Sequence, residues 1–388
     1  EGETYPFHEL TGSGLAWKVA CYMLTLVDDY DYAMELVDLA AFGTIADVAP
    51  LIGENRSIVK RALRKMRSCW YKREGVKALY DGPLDRITAE DIAFKIAPCI
   101  NASGRLDVRG ADLPLLLLLE DRPGIAEFLA ERLTDCNNRR KSIQKEWCNR
   151  MEETALKMIE QGDKVLVLLA DGAPSGVVGL VAGNLKEKYN RPTIVFAPKQ
   201  DSSGKTVWTG SGRSIKGFHL LNALKTCEDF FLAYGGHELA AGMSIPENEE
   251  VLSQLRTRLN QVAEYLSETD LMPMTYWDTE ITEAELTNSL YEELKSLEPF
   301  GEGVKKPVFK MRMHLLPKRH MLMGADKSHL KLFCENYSAV GFSLADKYIH
   351  SELPEVIDAL GYPCENYFNG KVKQEFMLVD FEPVTENE

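Results

Sequence analysis

The chain has 388 residues, 45% of them hydrophobic and 27% charged, and 45 Lys/Arg against 59 Asp/Glu give a net charge of −14. That length suits two or three domains with their own cores, and the composition excludes disordered and fibrous classes. The acidic total argues against a nucleic-acid partner, but the charge is unevenly spread, and a local basic face binds phosphate whatever the sum.

The first ten residues carry neither a basic nor an apolar signal-peptide region, and no later apolar run reaches the roughly 18 residues of a membrane span. Residues 1–120 read as mostly helical with one short apolar strand. Residues 35–45, ELVDLAAFGTI, read as a helix end or a strand running into a glycine turn. A basic helix is expected from Asn55, with Ile58, Val59, Leu63 and Met66 on one face; residues 56–77 hold nine Lys/Arg and one acidic residue. Thr88 followed by Glu90 and Asp91 marks a further helix start. From Pro123 to Gln161 one face stays apolar without interruption, ending at Gly162. That predicts a single helix of roughly 50 Å, too long for one core and best read as a connecting strut. Asn137-Asn138-Arg139-Arg140 interrupts any coiled-coil seam along it.

Residues 163–268 alternate strand and helix: strands at 164–170, 192–198, 206–214 and 240–245, and helices from near Gly176, at 217–225 and at 247–266. After Asp270 a short helix (283–297) precedes about five short strands. Asn369-Gly370 signals a hairpin, and the whole suggests a small oligonucleotide-binding barrel. Residues 301–350 hold nine Lys/Arg and four His, whereas 351–388 hold nine acidic residues. Eight scattered Cys without a CxxC pair suit a reducing cytoplasm and argue against a zinc ribbon.

Four glycine-containing clusters carry candidate chemistry. In Gly43–Leu51, Asp47 follows an apolar segment and offers a hard oxygen suited to Mg2+ or Mn2+. Asn101–Arg105 (NASGR) and Gly210–Ser214 (GSGRS) each put an Arg beside small residues, where a loop backbone could approach an anion that the Arg fork grips. Gly235-Gly236-His237 could aim backbone N–H groups at a phosphate, with His237 as donor or proton shuttle. Singly, each reads as an ordinary turn.

In order, these segments with SGVVGLVAGN (175–184) and LEPFGEG (297–303) resemble the RecJ family of single-strand-specific DNA exonucleases, within the DHH phosphoesterase superfamily. The resemblance runs from about Gly12 to Asp380. It implies an α/β and β multidomain fold: the C-terminal part of a DHH catalytic domain (1–120), a long connecting helix (121–162), an α/β DHHA1 domain (163–268) and an OB-like β-barrel (269–388). It implies a 5′-to-3′ exonuclease of DNA recombination and repair, cytoplasmic, with two Mn2+ or Mg2+ ions and single-stranded DNA entering by its 5′ end. Single-strand-binding protein is the partner the family suggests. Asp47 matches the family's last metal-binding motif; Arg105, Ser211 and Arg213 would hold the terminal phosphate; Gly235, Gly236 and His237 would hold the next. Lys318, Arg319, Lys327 and Lys331 are candidates for gripping the strand. The Asp-His-His triplet that names the superfamily is absent: the only His before residue 219 is His8. The chain, which begins with Glu1 and not Met, is therefore expected to correspond to the C-terminal two-thirds of such a protein and to be inactive alone. Asp171-Gly172-Ala173-Pro174-Ser175 stands where family members often have an aromatic–His pair, and Val304 where they usually have Asn. The alternatives are a catalytically dead DNA-binding or replisome-docking relative, and an oligoribonuclease or cyclic-dinucleotide phosphodiesterase of the same superfamily.

Overall fold

The computed structural model describes residues 5–106, 110–324, 326–351, 354–368 and 371–384. The chain divides into two compact units, one of residues 65–87 and 91–273, the other of residues 1–64, 88–90 and 274–388. No helix among the described residues is long and apolar enough to cross a membrane.

The unit built on residues 91–273 contains a five-stranded sheet of β1 (Leu166–Leu169), β2 (Thr193–Gln200), β3 (Thr206–Arg213), β4 (Ala233–Gly236) and β5 (Ala240–Pro246), in the order β1-β2-β3-β5-β4. β1 and β2 are parallel, as a helical crossover through Val178–Tyr189 requires, and the remaining pairs are antiparallel. Side-chain alternation sorts the apolar runs onto two faces. Val165, Val167, Ile194, Phe196, Trp208 and Met243 pack with Leu252, Leu255 and Leu259 of the helix Glu249–Val262. Leu166, Leu168, Val195 and Ala197 pack with Val178, Val181 and Leu185, and with Trp147, Ala155 and Met158 of the long helix. Both faces are covered, so the strands read as continuous apolar runs. β4, missed in the sequence, is short and glycine-rich.

The long helix spans Pro123–Glu160, 38 residues or about 57 Å, with Pro at its start and Gly162 in a positive-φ turn beyond its end. Ala126, Ala130 and Leu133 pack against Cys99 and Leu117, so one helix serves two cores within this unit. Preceding it, a π-turn at Ile92–Ile96 leads into the helix Ala97–Leu106. Pro98 explains the wider turn, because it has no N–H for the normal ladder and its ring crowds the preceding one.

In the other unit, the strand expected within residues 35–45 is instead the helix Val37–Ala46. Ala40, Ala41, Phe42 and Ile45 are all buried, and a helix apolar on every side mimics a buried strand in sequence. No strand occurs among described residues before β1. The basic helix forms over Gly53–Met66 with Ile58, Val59, Leu63 and Met66 buried as expected. Its Arg56 has a structural role, since the guanidinium donates to the carbonyls of Leu297 (2.6 Å), Pro299 (2.8 Å) and Glu298 (3.4 Å). The Leu51 N–H donates to the Glu302 carbonyl at 2.7 Å, and a Cβ on Gly301 would lie 2.7 Å from Leu51 Cδ1. The Pro50–Arg56 and Leu297–Gly303 segments, two separate motifs in the sequence, are therefore one joint. In the unit of residues 65–87 and 91–273, Arg67 and Arg73 likewise donate to the carbonyls of Ile87 and Leu118, so the basic run is not one solvated face.

The second sheet has seven strands, β6 (Thr279–Ile281), β7 (Phe309–His314), β8 (His320–Met323), β9 (His329–Phe333), β10 (Ser338–Gly341), β11 (Val356–Phe368) and β12 (Lys371–Pro383), in the order β6-β7-β11-β12-β10-β9-β8. β6 and β8 remain edges, so the described pairings form an open sheet and not the closed barrel expected. β11 and β12 pair antiparallel as a hairpin; its turn, Asn369-Gly370, lies outside the described residues. The expected 283–297 helix is a Thr282-capped turn followed by the helix Asn288–Ser296. The core on this sheet comprises Met311, Met313, Leu330, Leu332, Phe376, Leu378 and Phe381.

Candidate functional site

Gly210–Arg213 is not a loop. It is the end of β3, in the interior of the first sheet. The alternation puts Ser211 and Arg213 on one face and Gly210 and Gly212 on the other. A Cβ on Gly210 would come 2.6 Å from the Phe196 ring, and one on Gly212 2.7 Å from Leu220 Cδ2. These glycines make room for the core, in a strand and not in the loop that the sequence suggested. On the opposite face Arg213 is half-buried, and its Nη1 donates to Ser211 Oγ at 2.9 Å and to the Gly212 carbonyl at 2.8 Å.

Gly179, in the first turn of the helix Val178–Tyr189, faces this pair. A Cβ there would lie 2.9 Å from Ser211 Oγ and 3.2 Å from Arg213 Nη2. No side chain caps that helix. Its approach also fixes Arg105, which lies at the end of the helix Ala97–Leu106, so NASGR too is helical and not a loop. Arg105 Nη1 donates to the Gly176 carbonyl at 3.3 Å, and a Cβ on Gly176 would lie 2.2 Å from the Arg105 carbonyl oxygen. Glycine is required there because backbone meets backbone.

Burial pushes the Arg105 guanidinium below its ordinary pKa; burial and then the nearby Arg105 charge do the same to Arg213. Among the described residues no carboxylate pairs with either. Two half-buried, mutually repelling cations without a counter-ion are stabilised by an anion. Gly179→Ala should crowd Ser211 and Arg213 without harming the helix. We expect affinity for a phosphorylated oligonucleotide to fall about tenfold, equivalent to about 1.4 kcal/mol, with an unchanged melting temperature. Titration beside a thermal melt checks both.

Gly235 and Gly236 end the edge strand β4. The register aligns Ser211 with Gly242 and Gly242 with Gly235, so Ser211 and Gly235 lie two strands apart, about 10 Å. Gly236 has φ +149°, and a Cβ there would meet the Ala240 carbonyl at 2.4 Å. His237 is exposed; its N–H donates to Ala240 O at 2.8 Å and its Nδ1 accepts from the Leu239 N–H at 3.4 Å.

Asp47 lies in the other unit, exposed, at the end of the helix Val37–Ala46 and not after a strand. The next residue, Val48, holds φ +55°, a strained conformation for a β-branched side chain. Among the described residues no group of three or more His, Cys, Asp or Glu is capable of holding a metal ion. The donor set around Asp47 therefore does not fit a two-metal centre.

The four strand-gripping candidates do not converge. Lys318 and Arg319 are exposed in the turn before β8, and Lys327 is exposed in the turn after it, at the other end of that strand. Lys331 is in mid-β9, and its ammonium is paired with Glu375, which is 2% exposed. Ser338 Oγ and Asn366 Nδ2 complete that carboxylate's bonds at 3.0 and 2.9 Å. Sequence reasoning also misses the roles of Gly176 and Gly179.

Residues 162–265 match the DHHA1 domain model and residues 277–380 the RecJ OB domain model. The chain is 34% identical over 395 residues to the single-stranded-DNA-specific exonuclease RecJ of Bacillus subtilis, covering 98% of this chain and 47% of that protein. It is 32% identical over 357 residues to its Escherichia coli counterpart, covering 85% and 59%. RecJ from Thermus thermophilus in complex with Mg2+ superposes with a TM-score of 0.77 at 30% identity, covering 98% of this chain and 58% of that one; its Mn2+ complex gives 0.75. The chain spans about half the length of the B. subtilis relative. It is a homologue of the RecJ single-stranded-DNA-specific exonucleases, with a DHHA1 domain followed by a RecJ OB domain.

Proposed function

We infer that this chain supplies the end-gripping and strand-holding part of a 5′-to-3′ single-stranded-DNA exonuclease of recombination and repair. The observation that carries the reading is the half-buried Arg105–Arg213 pair, with no carboxylate partner among the described residues, beside Ser211 and the opening left by Gly179. Arg forks match phosphate oxygens, and a pocket for a terminal phosphate orients a strand from its 5′ end. Gly235, Gly236 and His237 would take the next phosphate, about 10 Å away across the sheet. Lys318, Arg319 and Lys327 would add exposed charge along the strand. We further infer four domains with the boundaries 1–120, 121–162, 163–268 and 269–388, the first related to a DHH catalytic domain.

Relatives solved with Mn2+ and Mg2+ suggest the same ions for the complete reaction. The described residues offer no metal-binding cluster, so no hydrolytic step is assigned to them. The purified chain, given Mn2+ or Mg2+ and a 5′-labelled single strand, is expected to release no mononucleotides. Release that depends on metal and disappears in Asp47→Ala would overturn this.

A further inference from the structure

A third guanidinium, that of Arg140, lies beside the helix that carries Arg105. The helix Ala97–Leu106 runs alongside the long helix in the same direction. At one level Asn137 Nδ2 donates to Cys99 Sγ at 3.4 Å; further along, Leu106 packs in the cluster of Ile143 and Trp147. Arg140 lies between those levels, one turn beyond Asn137. Its half-buried guanidinium is held from both sides: Asn137 Oδ1 accepts from Nε at 3.2 Å and Nη2 at 2.6 Å, and Gln144 Oε1 accepts from Nη1 at 2.8 Å. Both acceptors are neutral amides. They orient the fork but bring it no negative charge, and Asn137 is itself only 5% exposed.

A structural arginine in such a place is normally paired with a carboxylate. Arg140 has none among the described residues; burial and then the Arg105 charge lower its pKa. Arg140 thus lies beside the helix that carries Arg105, and Arg105 in turn lies near Arg213 of β3.

We propose that Arg140 is the third cation of the phosphate site, positioned by Asn137 and Gln144, and that the three forks together select the dianionic phosphomonoester at a chain end over a singly charged phosphodiester. This rests on the assignment of Arg105 and Arg213 to a terminal phosphate. A terminal phosphate carries close to two negative charges at pH 7 and loses one near pH 6, whereas a diester keeps one throughout. Three guanidinium groups gain more from the second charge than two do.

The test uses the full chain, an oligothymidine with a 5′ phosphate, and its 5′-hydroxyl twin, with the affinity ratio measured at pH 7.5 and pH 5. Other pH effects cancel in the ratio. Wild type should prefer the phosphorylated strand, more strongly at pH 7.5. Arg140→Gln should lower the pH 7.5 ratio about tenfold and flatten its pH dependence, while a role confined to helix packing would change melting and leave the ratio intact. A folded Arg140→Gln variant with the wild-type ratio and pH dependence overturns the proposal. If that variant does not fold, Arg140→Met, which keeps the aliphatic stem, carries the same expectation and the same refutation. Arg213→Ala separates the two levels: if it abolishes the preference while Arg140→Gln keeps it, only the third cation is refuted. A wild type without any preference refutes the site and this inference together.

Discussion

Lys331→Gln should destabilise the seven-stranded sheet by about 3 kcal/mol, the low end for breaking a buried ion pair, because Lys331 itself keeps 19% exposure. The cost comes from Glu375, whose carboxylate at 2% exposure would lose its cation partner. Burial alone raises the Glu375 pKa, but bonds from Lys331, Asn366 and Ser338 more than offset it and hold the group below the usual carboxylate value. The folded-state pKa is thus depressed, so the contribution is present above the unfolded value of about 4.3 and is lost as pH falls through the folded one. Without Lys331 the desolvation dominates, and acid destabilisation should begin at higher pH. Urea midpoints of wild type and variant from pH 3 to 7 check both. Equal midpoints at pH 7 would mean that the pair contributes nothing. Replacing both partners together, Lys331→Met with Glu375→Leu, should recover most of the loss.

The second large effect concerns the fork of Arg213. Arg213→Ala should weaken binding of a 5′-phosphorylated single strand about 10- to 100-fold, as removal of a charge-assisted bond of roughly 1.5–3 kcal/mol implies. Arg213→Lys should be nearly as damaging. The native guanidinium reaches Ser211 Oγ and the Gly212 carbonyl with one nitrogen and turns Nη2 toward Gly179. A lysine ammonium is a point charge and cannot make both engagements in fixed geometry. Fluorescence anisotropy at one fixed salt concentration decides. Near-wild-type affinity in the lysine variant would reduce Arg213 to a source of local charge.

Arg105 and Arg213 are each legible in the sequence as candidates, and only the family resemblance joins them. Arg105 and Arg213 stand out beside small residues that resemble anion-binding loops. They are in fact at a helix end and in an interior strand. Gly210 and Gly212 serve Phe196 and Leu220, and the glycines that shape the cationic site, Gly176 and Gly179, lie in another segment. That exchange is invisible to composition, because it depends on which side of β3 faces the Val178–Tyr189 helix. The alternating domain and the long helix are legible because their periods run over many residues. The edge strands β4, β6 and β8 are not, having only three or four residues each. The Val37–Ala46 segment misleads because a helix buried on every side has no amphipathic period. Lys331 looks like part of a basic surface because its partner, Glu375, lies 44 residues later.

Whether this chain carries a site for a phosphorylated 5′ end is tested most directly by the affinity of the wild-type chain for three versions of one single-stranded oligonucleotide: 5′-phosphorylated, unphosphorylated, and phosphorylated only at the 3′ end. The 5′-phosphorylated strand is expected to bind about 10- to 100-fold more tightly than the other two, which should not differ from each other. Equal affinity for all three would contradict the assignment.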